Sequence, residues 1–216
     1  MSGYDSARKD YYRLRCEKVA RELERRDFEA IVVKDTEEAA SRILDLIDVG
    51  DTVGIPGSVS VRELRLVEAL SERGNAVVEH WVSGKSREEL RSLRLAELNS
   101  DVLLTGTNAI TLDGKLVNID GTGNRVASMV YGPDKVVVIA GANKIADDLD
   151  EALKRSRRVA APINALRLNL DTPCAETGYC VDCESPKTIC AVTVVMEKRP
   201  SETEVIVVLV PEDLGY

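Results

Sequence analysis

The chain has 216 residues, 44% of them hydrophobic and 31% charged, with a formal net charge of -8. That supply of apolar side chains is enough to fill a core without disulfide staples, while the acidic balance and 4% aromatic content exclude a general nucleic-acid surface, which needs a basic field and stacking platforms. No run approaches the roughly 18 consecutive apolar residues of a membrane span, and the opening Met1–Asp5 is polar, so no transmembrane segment and a cytoplasmic location are expected.

Ser6 to Arg26 reads as a helix whose apolar stripe is Ala7, Tyr11, Leu14, Val19 and Leu23; Cys16 lies in it as a partly buried core or flank residue. Phe28–Val33 is a short strand. Asp35–Glu38 opens a second helix, with Ala39, Ala40, Ile43, Leu44 and Ile47 apolar, ending before Gly50. Thr52–Ile55 is the next strand, and this strand, helix, strand rhythm calls for a parallel sheet with covered faces. A helix over Arg62–Arg73, a strand at Ala76–Glu79, a helix over Leu90–Leu98 and a buried strand at Asp101–Thr105 follow. Further strands are expected at Gly114–Ile119 and Lys135–Ala140, with a short helix at Arg125–Met129 between them. A helix over Ile145–Arg157 ends in the basic run Lys154–Arg158, which suits a helix C-terminus. Val192–Met196 and Val205–Val210 read as a pair of antiparallel or edge strands. The expected architecture is α/β: one domain over residues 1–216 with an open, mostly parallel sheet flanked by helices and a cysteine-rich loop at 171–191.

There is no G-x-G-x-x-G fingerprint with a following acidic residue and no P-loop, so dinucleotide binding has little support. Three polar loops instead follow strands. In the first, Gly57, Ser58 and Ser60 can aim N–H groups and hydroxyls at an anion, or the serines can simply cap a helix. The second contains Thr107 and Asn108, and the third Asp120, Gly121, Thr122, Gly123, Asn124 and Arg125. Carboxyl ends of parallel strands form the natural ligand crevice, which makes these residues pocket candidates for a small anionic organic ligand; tight turns would use the same residue types. Arg125, a cation at a helix start, calls for Asp120 or a ligand anion beside it. Lys144 either faces the same crevice or covers surface with its stem. His80, the only histidine, stands next to Trp81, the only tryptophan, without a pattern of partner residues in sequence, and reads as an ordinary strand-end residue.

Cys174, Cys180, Cys183 and Cys190 form C-x5-C-x2-C-x6-C on one short loop. Four soft thiolates suit an iron-sulfur cluster or structural zinc. Only Cys180 and Cys183 make a zinc-type knuckle, and a cubane tolerates the irregular outer spacing better, which favours a 4Fe-4S cluster, with zinc as the alternative and disulfides or free thiols also open.

The segments Leu104–Ile110, Leu116–Ala127, Gly141–Lys144 and Ala161–Ala165, the cysteine run and Leu209–Tyr216 occur in an order that resembles the LUD domain (lactate utilisation) family over nearly the whole chain. The resemblance implies a NagB/RpiA/CoA-transferase-like fold with a crevice at strand ends. It also implies a place among iron-sulfur systems of organic-acid utilisation, with electron transfer to other redox protein subunits as partners. Two other readings stay open: a small-molecule-binding or transferase-like protein whose four-cysteine site is structural zinc, and an assembly or regulatory protein.

Overall fold

The computed structural model describes residues 3–216. In chain order the elements are α1 (Gly3–Glu24), β1 (Glu29–Val32), α2 (Thr36–Asp45), β2 (Thr52–Ile55), α3 (Val59–Glu63), α4 (Leu66–Arg73), β3 (Ala76–Glu79), α5 (Arg87–Leu98) and β4 (Val102–Gly106). Then come β5 (Ala109–Thr111), β6 (Leu116–Asp120), α6 (Asn124–Val130), β7 (Lys135–Gly141), a 3-10 turn (Ala142–Lys144), β8 (Ile145–Ala146) and α7 (Leu149–Arg155). A π-helical turn (Ser156–Ala160), α8 (Ala161–Arg167), α9 (Pro173–Thr177), β9 (Val192–Met196) and β10 (Glu204–Val210) complete the chain.

The strands form two sheets. The larger has the order β1-β10-β7-β4-β2-β3, parallel throughout. The smaller, β8-β5-β6-β9, pairs β5 with β8 in parallel and β6 antiparallel to both β5 and β9. Period-2 alternation sends side chains of the central strands to two cores. On one face Val136, Val138, Val205, Val207 and Leu209 pack with Cys16, Val19 and Leu23 of α1, and on the other Val137, Ile139, Val208 and Val210 pack with Ile43, Val61 and Leu70. Each such aliphatic side chain, removed from water, contributes about 1.5 to 3 kcal/mol.

Several expectations change. β10 is not an edge strand and does not pair with β9; it lies between β1 and β7, because residues Val205–Val210 are buried on both faces, as a central parallel strand requires. β9, with Val192 and Thr193 exposed, is the edge of the small sheet. The α1 stripe is Tyr12, Cys16, Val19 and Leu23, while Tyr11 and Leu14 face solvent. The expected helix over 62–73 breaks at Arg65, which has φ 53°. Val61 and Leu66 are both fully buried, and five residues of continuous helix would turn them about 140° apart, so the break is what lets both reach the core. Ile145 and Ala146 form β8 rather than a helix start; α7 begins after Asp148, whose Oδ1 caps it by accepting from Glu151 N–H at 2.9 Å.

Candidate functional site

The carboxyl ends of β2, β4, β6 and β7 open on the same side, and the loops leaving them enclose a cavity of about 200 Å³. Gly57, Ser58, Thr107, Asn108, Asp120, Gly121, Thr122, Asn124, Arg125 and Lys144 all line it. Of the crevice residues expected from sequence, Gly123 alone is not in the lining; its N–H is turned to Asp120 Oδ1 at 2.7 Å.

Gly57 has φ +84°, and a Cβ there would stand 2.3 Å from Trp81 Nε1, so the turn after β2 and the seating of the indole both depend on glycine. Trp81 carries two cations on its ring: Arg167 Cζ at 4.1 Å and Arg62 Cζ at 4.9 Å from the centroid. Ser58 caps α3 through Val61 N–H, so its hydroxyl is in part a capping group.

Asp120 holds its own loop, accepting from Thr122 N–H at 2.9 Å as well as from Gly123. Behind it Arg125 is committed to protein acceptors: Nη1 donates to Asn118 Oδ1 (2.6 Å) and Gly106 O (3.3 Å), Nη2 to Ile119 O (2.9 Å) and Asn108 Oδ1 (3.1 Å), and Nε lies 3.6 Å from Asp120 Oδ2. Burial lowers its pKa, with Asp120 opposing. Arg125 thereby ties the end of β4, the loop at Asn108 and β6 together and places a positive charge at the cavity wall. Thr107 is likewise occupied, donating to Ala109 O at 3.1 Å.

Lys144 differs. It is 4% exposed, its Nζ donates to Ser60 Oγ at 2.8 Å, and among the described residues no carboxylate oxygen lies within 4.0 Å of it. Burial, then the charges of Arg155 and Arg125, push its pKa down to about 7 against a weaker opposing effect of Glu63. Ser60 is 1% exposed and is covered by the C-terminal segment: a Cβ at Gly215, whose φ is +61°, would stand 2.5 Å from Ser60 Oγ.

His80 is not an ordinary strand-end residue. Its backbone N–H and its Nδ1 both meet Glu97 Oε1, at 2.9 and 2.7 Å, and Asn124 Nδ2 donates to Glu97 Oε2 at 3.3 Å. Glu97 is fully buried, and a carboxylate on Nδ1 turns the Nε2 edge of His80 outward from the pair, with the ring in the cavity lining. The signal was in the sequence: Glu97 follows Leu90 by seven and Leu93 by four, placing a carboxylate on the inward face of α5. Tyr216, held by Asn164 Oδ1 at 2.6 Å, and Ser156 of the π-helical turn also line the cavity; Tyr216 lies in the Leu209–Tyr216 segment of the family resemblance but is not singled out there for the site, and Ser156 is not marked at all.

The cysteine loop overturns an expectation. Among the described residues no group of three or more His, Cys, Asp or Glu side chains is placed to hold a metal ion, so neither a 4Fe-4S cluster nor zinc fits Cys174, Cys180, Cys183 and Cys190. The electron-transfer reading built on that cluster falls with it. All four are free thiols with local partners: Cys174 Sγ lies 3.4 Å from Thr172 Oγ1, and Cys180 Sγ accepts from Asp182 N–H at 3.4 Å. Burial, with Cys180 and Cys174 adding to it and Arg157 opposing, pushes the Cys190 thiol up. The loop has another use. Ile189 seats its Cα 2.9 Å from where a Cβ of Gly121 would be and lines the cavity, so this segment walls the crevice.

Among the described residues no helix is long and apolar enough to cross a membrane. No curated protein matches the chain. A solved structure described as a DUF162 family protein from Deinococcus radiodurans aligns with it at 14% identity and a TM-score of 0.47, covering 94% of this chain and 98% of that one. The LUD domain matches residues 16–210, nine-tenths of the chain, and the chain belongs to the LUD domain family.

Proposed function

We propose that this chain binds a small anionic organic acid in the strand-end crevice and acts on it as a transferase-like protein. The observation that carries this reading is Lys144, a buried ammonium in the cavity lining with a hydroxyl for its partner and no carboxylate. A buried charge without a counter-ion is costly, and an anion entering the cavity supplies one. Arg125 and the exposed Arg167 add positive field in a chain whose formal charge is -8. His80, oriented by Glu97, offers proton transfer beside the same space. The finer assignment to the NagB/RpiA/CoA-transferase-like folds belongs to this reading, supported by an open parallel sheet with its cavity at the carboxyl ends of the strands.

Trp81 is the only tryptophan and lines the cavity, so its fluorescence reports occupancy. Titration with glycolate, lactate, acetyl phosphate and acetyl-coenzyme A, with thermal melting in parallel, is expected to quench Trp81 and raise the melting temperature for at least one anion, both responses being lost in Lys144→Met. Four anions without effect on either signal would remove the proposal.

A further inference from the structure

We infer that Lys144 is a nucleophilic amine that captures the carbonyl carbon of a small 2-oxo acid as an imine, with His80 of the same cavity lining taking up the proton that the amine releases. This inference rests on the binding reading above and names its substrate class.

Three features of the geometry carry it. Lys144 Nζ has a hydroxyl partner, Ser60 Oγ at 2.8 Å, and among the described residues no ion pair that would hold it as ammonium. A salt-bridged lysine is locked in its charged form, whereas a hydroxyl can accept from either form of the amine. The cavity of about 200 Å³ has room for a small 2-oxo acid. It also holds a second proton-transfer group, His80, whose Nδ1 is fixed by the buried Glu97 so that Nε2 is the exchanging atom. Arg155, Arg125 and Glu63 are the charged groups acting on Lys144, and the two arginines favour the neutral amine.

The chemistry balances without an outside reagent. The Lys144 ammonium first gives one proton to the free Nε2 of His80; the Nζ lone pair then forms a C–N bond to the carbonyl carbon, and the carbonyl π pair moves to oxygen, which takes a proton from the new ammonium. Loss of that oxygen as water, with a proton returned to it, leaves a C=N bond bearing one positive charge. In sum, ammonium plus ketone gives iminium plus water. The iminium then draws in the electron pair of an adjacent C–H bond, whose proton leaves to the free Nε2 of His80, the reason enzymes use buried lysines for carbonyl substrates.

The test uses glyoxylate, the smallest 2-oxo acid, with the full chain and cyanoborohydride, followed by peptide mass mapping. The expected result is a reduced carboxymethyl adduct concentrated on Lys144, suppressed by glycolate, which has the carboxylate but no carbonyl. The rate of capture should reach half its maximum near pH 7, not near pH 10 as for a surface lysine. Because the adduct is located in the unaltered chain, the test does not depend on a variant that folds. Adduct spread over surface lysines, or absent from Lys144, overturns the inference. If glycolate and glyoxylate still quench Trp81 in that case, the imine is wrong and the binding reading stands; if neither they nor the other anions quench it or shift melting, the binding reading has failed as well.

Discussion

Lys144 Nζ donates a 2.8 Å hydrogen bond to Ser60 Oγ, joining two side chains 84 residues apart that are 4% and 1% exposed. The bond links the 3-10 turn after β7 to α3, beneath the C-terminal Leu214 and Gly215. It keeps a basic nitrogen in the cavity without neutralising it.

A pH dependence of stability follows from that burial. The Lys144 pKa is about 7 in the folded chain against 10.5 for an ordinary lysine. Between these values the unfolded chain holds a proton that the folded chain has released, so stability rises with pH across this window and the penalty is greatest below pH 7. From pH 7 to pH 9 the gain is about 2 kcal/mol, and it should disappear in Lys144→Met. Urea unfolding of both proteins at the two pH values measures it; equal pH slopes would show that Lys144 is not the source.

Glu97→Ala should leave the His80 N–H without its acceptor and the ring free to change tautomer, with a loss of about 2 kcal/mol. Since His80 is the only histidine, nitrogen-15 spectra of the imidazole resolve it without assignment. The unaltered chain should show the proton on Nδ1, and the variant should shift toward the Nε2-protonated form common in free histidine. An unchanged spectrum would mean that Glu97 does not orient the ring.

For Arg125→Lys the expected outcome is destabilisation of about 3 kcal/mol despite the retained charge, measured by chemical denaturation. One ammonium cannot reach Asn118, Gly106, Ile119, Asn108 and Asp120 together, so buried acceptors lose their donors. A fully stable lysine variant would reduce Arg125 to a point charge.

Cys180→Ser and Cys183→Ser should each change stability by less than about 0.5 kcal/mol, because these thiols are only partly buried and hold no shared ion. Melting with and without a strong chelator should coincide. A chelator-dependent drop would reinstate a metal on this loop.

Much of the parallel sheet was legible because its strands announce themselves locally: Val136–Ala140 is a continuous aliphatic run of the kind a strand covered on both faces carries, and Val205–Val210 was recognisable as a strand although its central place was not. The loops at Gly57, Asn108, Asp120 and Lys144 were marked by small and polar residues at strand ends, types that tight turns use as well, and their meeting around one cavity came from the tertiary structure. Where β10 pairs was not legible, because register and neighbour choice are set by contacts among distant segments and not by the run itself. The cysteines misled for the same reason. Spacing specifies how far four thiols can be from one another, while the short helix at Pro173–Thr177 and the turns after it decide how they point. His80 and Glu97 are 17 residues apart and became a pair only when β3 and α5 packed together. The sequence determined which residues carry charge and chemistry; the tertiary structure decided which of those charges were left without partners, since burial and neighbours, not residue type, set the free energy of an ionised group.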